Sequence, residues 1–136
     1  MKQAAKFNPT CCLYAIAITI IVHSLFEYIL GELGDDPIGY GNDGTKGNAI
    51  KHCTWICYIA SSPSCSAGDA RKFGEAHENY EGNKENHKAM DLHNNDIGAG
   101  FGNEGLSALD SLWDCFNKCK KAADDGKLTW IVNENN

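Results

Sequence analysis

Apolar residues run without a charge from Cys11 to Val22 and continue through His23, Ser24, Leu25, Phe26, Glu27 and Tyr28 to Leu30. That stretch amounts to about 30 Å of helix, enough to cross a bilayer. Two exported readings stand side by side. One is an uncleaved transmembrane anchor. The other is a signal peptide with Lys2 and Lys6 as its basic region and Val22-His23-Ser24 as a small-residue cleavage site. Both place basic residues before the run and Glu32, Asp35 and Asp36 after it, which sends the remainder outward. The competing reading is a packed core helix whose polar stripe is His23 and Glu27, four apart on one face.

Downstream the pattern changes. Gly31 to Gly47 is rich in Gly and Asp and reads as a linker. The phasing of a calcium-binding EF-hand loop is not met there. Asn48 is placed to cap a helix to about Ala60, with His52, Trp55, Ile56 and Ile59 at i, i+3, i+4, i+7. Ser61, Ser62, Pro63 and Ser64 end it. Ser66 with Asp69 resembles a capping box opening a helix from Ala67 to Tyr80, with Ala70, Phe73, Ala76 and His77 along one face.

Glu81 to Asn86 is a polar loop, followed by a third helix over about His87 to Phe101. It carries Met90, His93, Asn94, Ile97 and Phe101 on one side, with Asp91, Asn95 and Gly98 beside them. Gly98 to Gly105 contains a G-x-G-x-x-G, but no strand precedes it, so it reads as a helix end and turn rather than a dinucleotide site. A fourth helix, about Leu106 to Ala123, presents Leu106, Leu109, Trp113, Phe116 and Lys120 at helical spacing. Gly126 stops it, and Leu128 to Val132 form a short extended tail. The expected fold is all-α: a bundle of about four helices behind an N-terminal hydrophobic helix, with an extended C-terminal segment. The expected organisation is a signal peptide or anchor at 1–30, a linker at 31–47 and a stapled helical domain at 48–132.

The cysteines sharpen this picture. Cys53 and Cys57 share one helix face, and Cys115 and Cys119 share another. Two antiparallel helices are most simply joined by Cys53–Cys119 and Cys57–Cys115, each closing a long loop and stabilising by roughly 3–5 kcal/mol in the chain-entropy model. Cys65 is then the odd thiol, free or paired elsewhere. A four-thiolate zinc site is the rival, but an exported chain favours oxidation. Charge excludes another class: with 12 Lys+Arg against 18 Asp+Glu the net charge is −6, and no basic stripe offers itself to nucleic acid.

Three segments put polar groups on core-like faces: His52 near Trp55, Ala76-His77-Glu78, and Asp91 to Asn95. Burying such groups without partners costs about 1–3 kcal/mol each, so they are expected to meet. A cluster of His52, His77, Glu78, Asp91, Asn94 and Asn95 has two chemical uses. A histidine oriented by a carboxylate acts as general base toward water, with His52 or His77 in that role and the asparagine amides donating to an oxyanion. Alternatively His52, His77 and Asp91 hold a divalent metal with Glu78 as base. The metalloprotease signature H-E-x-x-H is absent, since Glu81 stands where the second histidine belongs. The pattern specifies no cofactor, and the serines lack a carboxylate-oriented histidine. The rival to catalysis is a hydrogen-bond network that ties three helices together.

The blocks Asn48-Ala49-Ile50-Lys51-His52-Cys53-Thr54-Trp55, Ala76-His77-Glu78, and Met90-Asp91-Leu92-His93-Asn94-Asn95 with Gly98 resemble an uncharacterised bacterial domain family. Its pattern is NA-x-[RK]-H-x-x-W, AHE, MD-x-x-NN-x-x-G. The family is found in small stand-alone proteins and at the C-termini of Rhs-type polymorphic toxins. The similarity covers about Asn48 to Val132, including the late CxxxC pair and Gly126-Lys127-Leu128. The chain departs from the pattern in its hydrophobic N-terminus and in an inserted loop at 61–66.

The resemblance implies that His52, His77, Glu78, Asp91, Asn94 and Asn95 are the shared polar set. It also implies an exported effector acting on envelope material such as peptidoglycan or lipid, with a protein partner of the immunity or secretion kind. Residues 11–30 offer a membrane contact. The alternative is a non-catalytic stapled binding or accessory module.

Overall fold

Every residue from Gly47 to Ala60 is buried, so one helix forms the axis on which the others pack. The computed structural model describes residues 9–34, 38–41, 44–80 and 85–131. Helix α1 spans Pro9–Ser24 and continues as a π-helical stretch over Leu25–Glu32. The axial helix α2 is Lys46–Ala60, followed by α3 (Ala67–Tyr80), α4 (Glu85–Gly100) and α5 (Ala108–Asp124). No strand occurs among the described residues, and the all-α expectation of four helices behind an N-terminal one holds.

Local chemistry explains the boundaries. At α3 the capping box is reciprocal: Asp69 N–H donates to Ser66 Oγ and Ser66 N–H to Asp69 Oδ2, both at 3.0 Å. The helix accordingly has the expected limits. The start of α2 differs, because Thr45 rather than Asn48 is the cap; its Oγ1 accepts from the Asn48 N–H at 3.1 Å. Ser107 caps α5 through the Asp110 N–H, and Gly126 ends the region at φ +76. Glu85 and Asn86 belong to the first turn of α4 rather than to a loop. Lys2, Lys6, Asp35, Asp36, Pro37, residues 81–84 and Val132, which carried parts of the expected leader, linker, loop and tail, lie outside the described residues.

Three disulfides staple the bundle. Cys53–Cys119 and Cys57–Cys115 join α2 to α5 in the expected pairing, and the reversed order of the partners makes the two helices antiparallel. Cys65, expected to be odd, pairs with Cys11 at the start of α1, which leaves Cys12 as the free thiol. Small residues set the closest approach: a Cβ at Gly98 would overlap the Cys53 carbonyl, so α4 lies against the α2 backbone there.

The N-terminal helix packs along its length. Cys11, Ala15, Ile18, Val22 and Phe26 are buried. Between them runs a polar seam: Thr19 Oγ1 accepts from Trp55 Nε1 at 2.9 Å, His23 meets the Trp55 ring, and Glu27 reaches Lys51 Nζ at 3.4 Å. Its other face leaves Leu13, Ile16, Ile20 and Ile29 more than half exposed. By length and composition Pro9–Glu32 remains sufficient for a membrane span. The large side chains Leu109 and Trp113 on α5 are also exposed, because the buried face of that helix is Ser111, Cys115, Cys119, Ala122 and Ala123.

Candidate functional site

Three helices each contribute one titratable group to a single point. His52 comes from α2, Glu78 from α3 and Asp91 from α4, at 6%, 1% and 7% exposure. His52 Nδ1 faces Glu78 Oε2 at 3.6 Å and Nε2 faces Asp91 Oδ1 at 3.5 Å. The position of His52 is fixed from the next residue, since Cys53 is bridged to α5 and packed under Gly98. Gly74 brings α3 in at the same level; a Cβ there would lie 2.9 Å from Asn95 Nδ2 and 3.0 Å from Ile56 Cδ1.

Burial, followed by the neighbouring Lys51 charge, pushes the His52 imidazole well below its ordinary pKa. A neutral imidazole has a single N–H, so it donates to one carboxylate and turns a lone pair toward the other. The arrangement is therefore suited to take up a proton or a cation between groups already in place.

Asn95 extends the cluster outward. It is 3% exposed and lies against the His52 imidazole. It also lines a groove of about 350 Å³ between α3 and α4, together with Arg71, Glu75, Asn79, Lys88 and Asp96. Arg71 and Asp96 form an exposed ion pair across this groove, Nε to Oδ1 at 2.7 Å. The groove carries both charges, and Leu92 adds an apolar side chain to its wall.

The two remaining candidates stand elsewhere. Asn94 is fully buried and grips the C-terminal tail: its Nδ2 donates to Thr129 O at 2.8 Å and its Oδ1 accepts from Thr129 N–H at 2.9 Å. His77 packs edge-on against Trp55 with ring centroids 4.9 Å apart and also meets His23 at 6.1 Å. Trp55 thus carries three histidines, His23, His52 and His77. His23, Thr19 and Lys51 were not among the expected site residues. For Thr19 and His23 the signal was the i, i+4 spacing of Thr19, His23 and Glu27 on an otherwise apolar helix, whereas Lys51 lies on α2 and has no part in that spacing.

No curated protein and no solved structure matches the chain. A family model described as a domain of unknown function, DUF6973, matches residues 8–127. This match begins well before Asn48, where the sequence resemblance begins, and so takes in α1 and the segment after it. With most of its length covered, from the first turn of the apolar helix to the last residues of the bundle, the chain belongs to the DUF6973 family.

Proposed function

We propose that the domain is an extracytoplasmic hydrolase of an envelope component, with His52, Glu78 and Asp91 activating water and Asn95 donating its amide to the charge that develops on the substrate. The observation that carries the reading is the placement of Asn95, which touches the imidazole of the buried cluster and also lines the groove. Three disulfides suit an oxidising compartment, and the apolar N-terminal helix suits export. The outward face of α1, with Leu13, Ile16 and Ile20, is the part that would rest on a membrane. A groove bearing Arg71, Lys88, Glu75 and Asp96 fits a polar, zwitterionic substrate such as peptidoglycan better than an acyl chain. The Rhs-type context of the resembling family agrees with an effector countered by a dedicated protein partner.

The test is release of soluble fragments from purified peptidoglycan, run in parallel with phospholipid vesicles. Wild-type protein is expected to act on peptidoglycan, and Asp91→Asn and Asn95→Ala to abolish the release while circular dichroism stays unchanged. No release from either material overturns the reading.

A second reading, a stapled binding or accessory module, is favoured by one specific observation: Glu78 is 1% exposed and His52 6%, as in a structural network. It predicts that His52→Ala lowers the melting temperature and removes no activity.

A further inference from the structure

We propose that His52, Glu78 and Asp91 form a binding site for one divalent transition-metal ion of the zinc or manganese class. The three side chains come from three different helices, and one donor atom of each lies within 4.8 Å of the other two. Two donors on one ion at 2.0–2.2 Å stand at most about 4 Å apart, so binding draws the set together by roughly an ångström. Such a movement is within reach of side chains on packed helices. His52 Nδ1 is fully buried and has no hydrogen-bond partner among the described residues, although it points toward Glu78. An imidazole between two carboxylates leaves like-signed electron pairs facing each other, which a cation converts into attraction.

The donor set selects the class of ion. Two carboxylate oxygens and one imidazole nitrogen suit zinc, manganese or iron(II), whereas calcium seeks six to eight oxygens and rarely takes imidazole. Sulfur ligation is not available from six of the cysteines, because they are bridged. Three protein ligands leave at least one coordination position for water, the arrangement of a catalytic rather than a structural centre. Asp91 keeps 10% of its side chain exposed, which gives an ion a way in. His77, one of the ligands expected from the sequence, is not part of the set, since its ring packs against Trp55. Glu78 takes its place.

Binding of the ion stands independently of the hydrolase reading, while its role in activating water rests on that reading. A bound ion would make His52 a ligand rather than a base, and would lower the pKa of the water it holds so that the proton passes to bulk solvent.

The experiment is calorimetric titration of zinc chloride and of manganese chloride into the oxidised full chain, in a Cys12→Ser background that removes the one free thiol. One equivalent of one of these ions is expected to bind, with calcium chloride giving no heat. Asp91→Asn and Glu78→Gln are each expected to weaken binding about 10-fold or more, and Asp124→Asn to leave it unchanged. Circular dichroism confirms that each variant is folded. Should Glu78→Gln fail to fold, Asp91→Asn at the more exposed position decides. No saturable binding of either ion, or binding indifferent to Asp91→Asn, overturns the site. A protein that binds the ion and cleaves nothing keeps this site and loses the hydrolase reading; one that cleaves in the presence of chelator, with no ion bound, does the reverse.

Discussion

The indole Nε1 of Trp55 donates to Thr19 Oγ1 at 2.9 Å, and the same hydroxyl donates to Ala15 O at 2.6 Å, so a side chain of the axial helix is written into the backbone of the N-terminal one. This bond makes α1 part of the core. Trp55→Phe keeps most of the buried ring and removes the donor, with an expected loss of about 1–2 kcal/mol. Thr19→Val should cost a similar amount, and the double variant less than the sum, with a coupling of about 0.5–1.5 kcal/mol. Urea midpoints of the four proteins check this; strict additivity would mean that the bond contributes nothing.

Glycine substitutions along α3 and α4 should rank by what their new Cβ meets. Gly98→Ala drives a methyl into the Cys53 carbonyl and should cost about 3 kcal/mol or more, because backbone on both sides must move. Gly74→Ala meets the Asn95 amide and the end of Ile56, with an expected cost of about 1–2 kcal/mol. Gly100→Ala meets nothing within 4 Å and should stay within about 0.5 kcal/mol of wild type. Thermal unfolding of the three variants gives the order directly.

Asn94 and Asn95 are neighbours with separate work. Asn94→Asp replaces the donor to Thr129 O with an oxygen, and should release the tail at a cost of about 1–3 kcal/mol. Hydrogen exchange at the Thr129 amide, which donates to Asn94 Oδ1, should accelerate. Fragment release from peptidoglycan should persist in Asn94→Asp and disappear in Asn95→Ala.

The Cys11–Cys65 bridge spans 54 residues of sequence. The double variant Cys11→Ser/Cys65→Ser should lose roughly 2–5 kcal/mol. A chain starting after Ser24, as cleavage at Val22-His23-Ser24 would leave it, also loses Thr19 and His23 from the Trp55 surround. Its melting temperature should fall by roughly 10 °C or more. Mass spectrometry of the protein recovered from its native compartment shows whether Cys11 is still attached; an intact, equally stable truncated domain would show that α1 is dispensable.

The sequence carried the bundle well where its signals were local. The Ser66/Asp69 pair defines the start of α3, and two CxxxC pairs on two helices already imply their cross-links. It carried the site less well for a geometric reason. Adjacent residues on a helix diverge by about 100°, so His77 and Glu78 face different neighbours, and so do Asn94 and Asn95. The partner of Cys65 was hidden because Cys11 lies in a stretch whose hydropathy reads as leader. The true cap of α2, three residues before Asn48, is not legible because Thr45 sits among glycines that give no helical periodicity.

Because α2 is shielded on every side, its fourteen positions from Gly47 to Ala60 have no outward face on which to vary. Two of them are cross-linked, one holds the imidazole and one holds the indole that α1 grips. Random substitution across the gene would therefore find its tolerated changes on the outer helices, and a pool of functional survivors would be nearly monomorphic through this one segment.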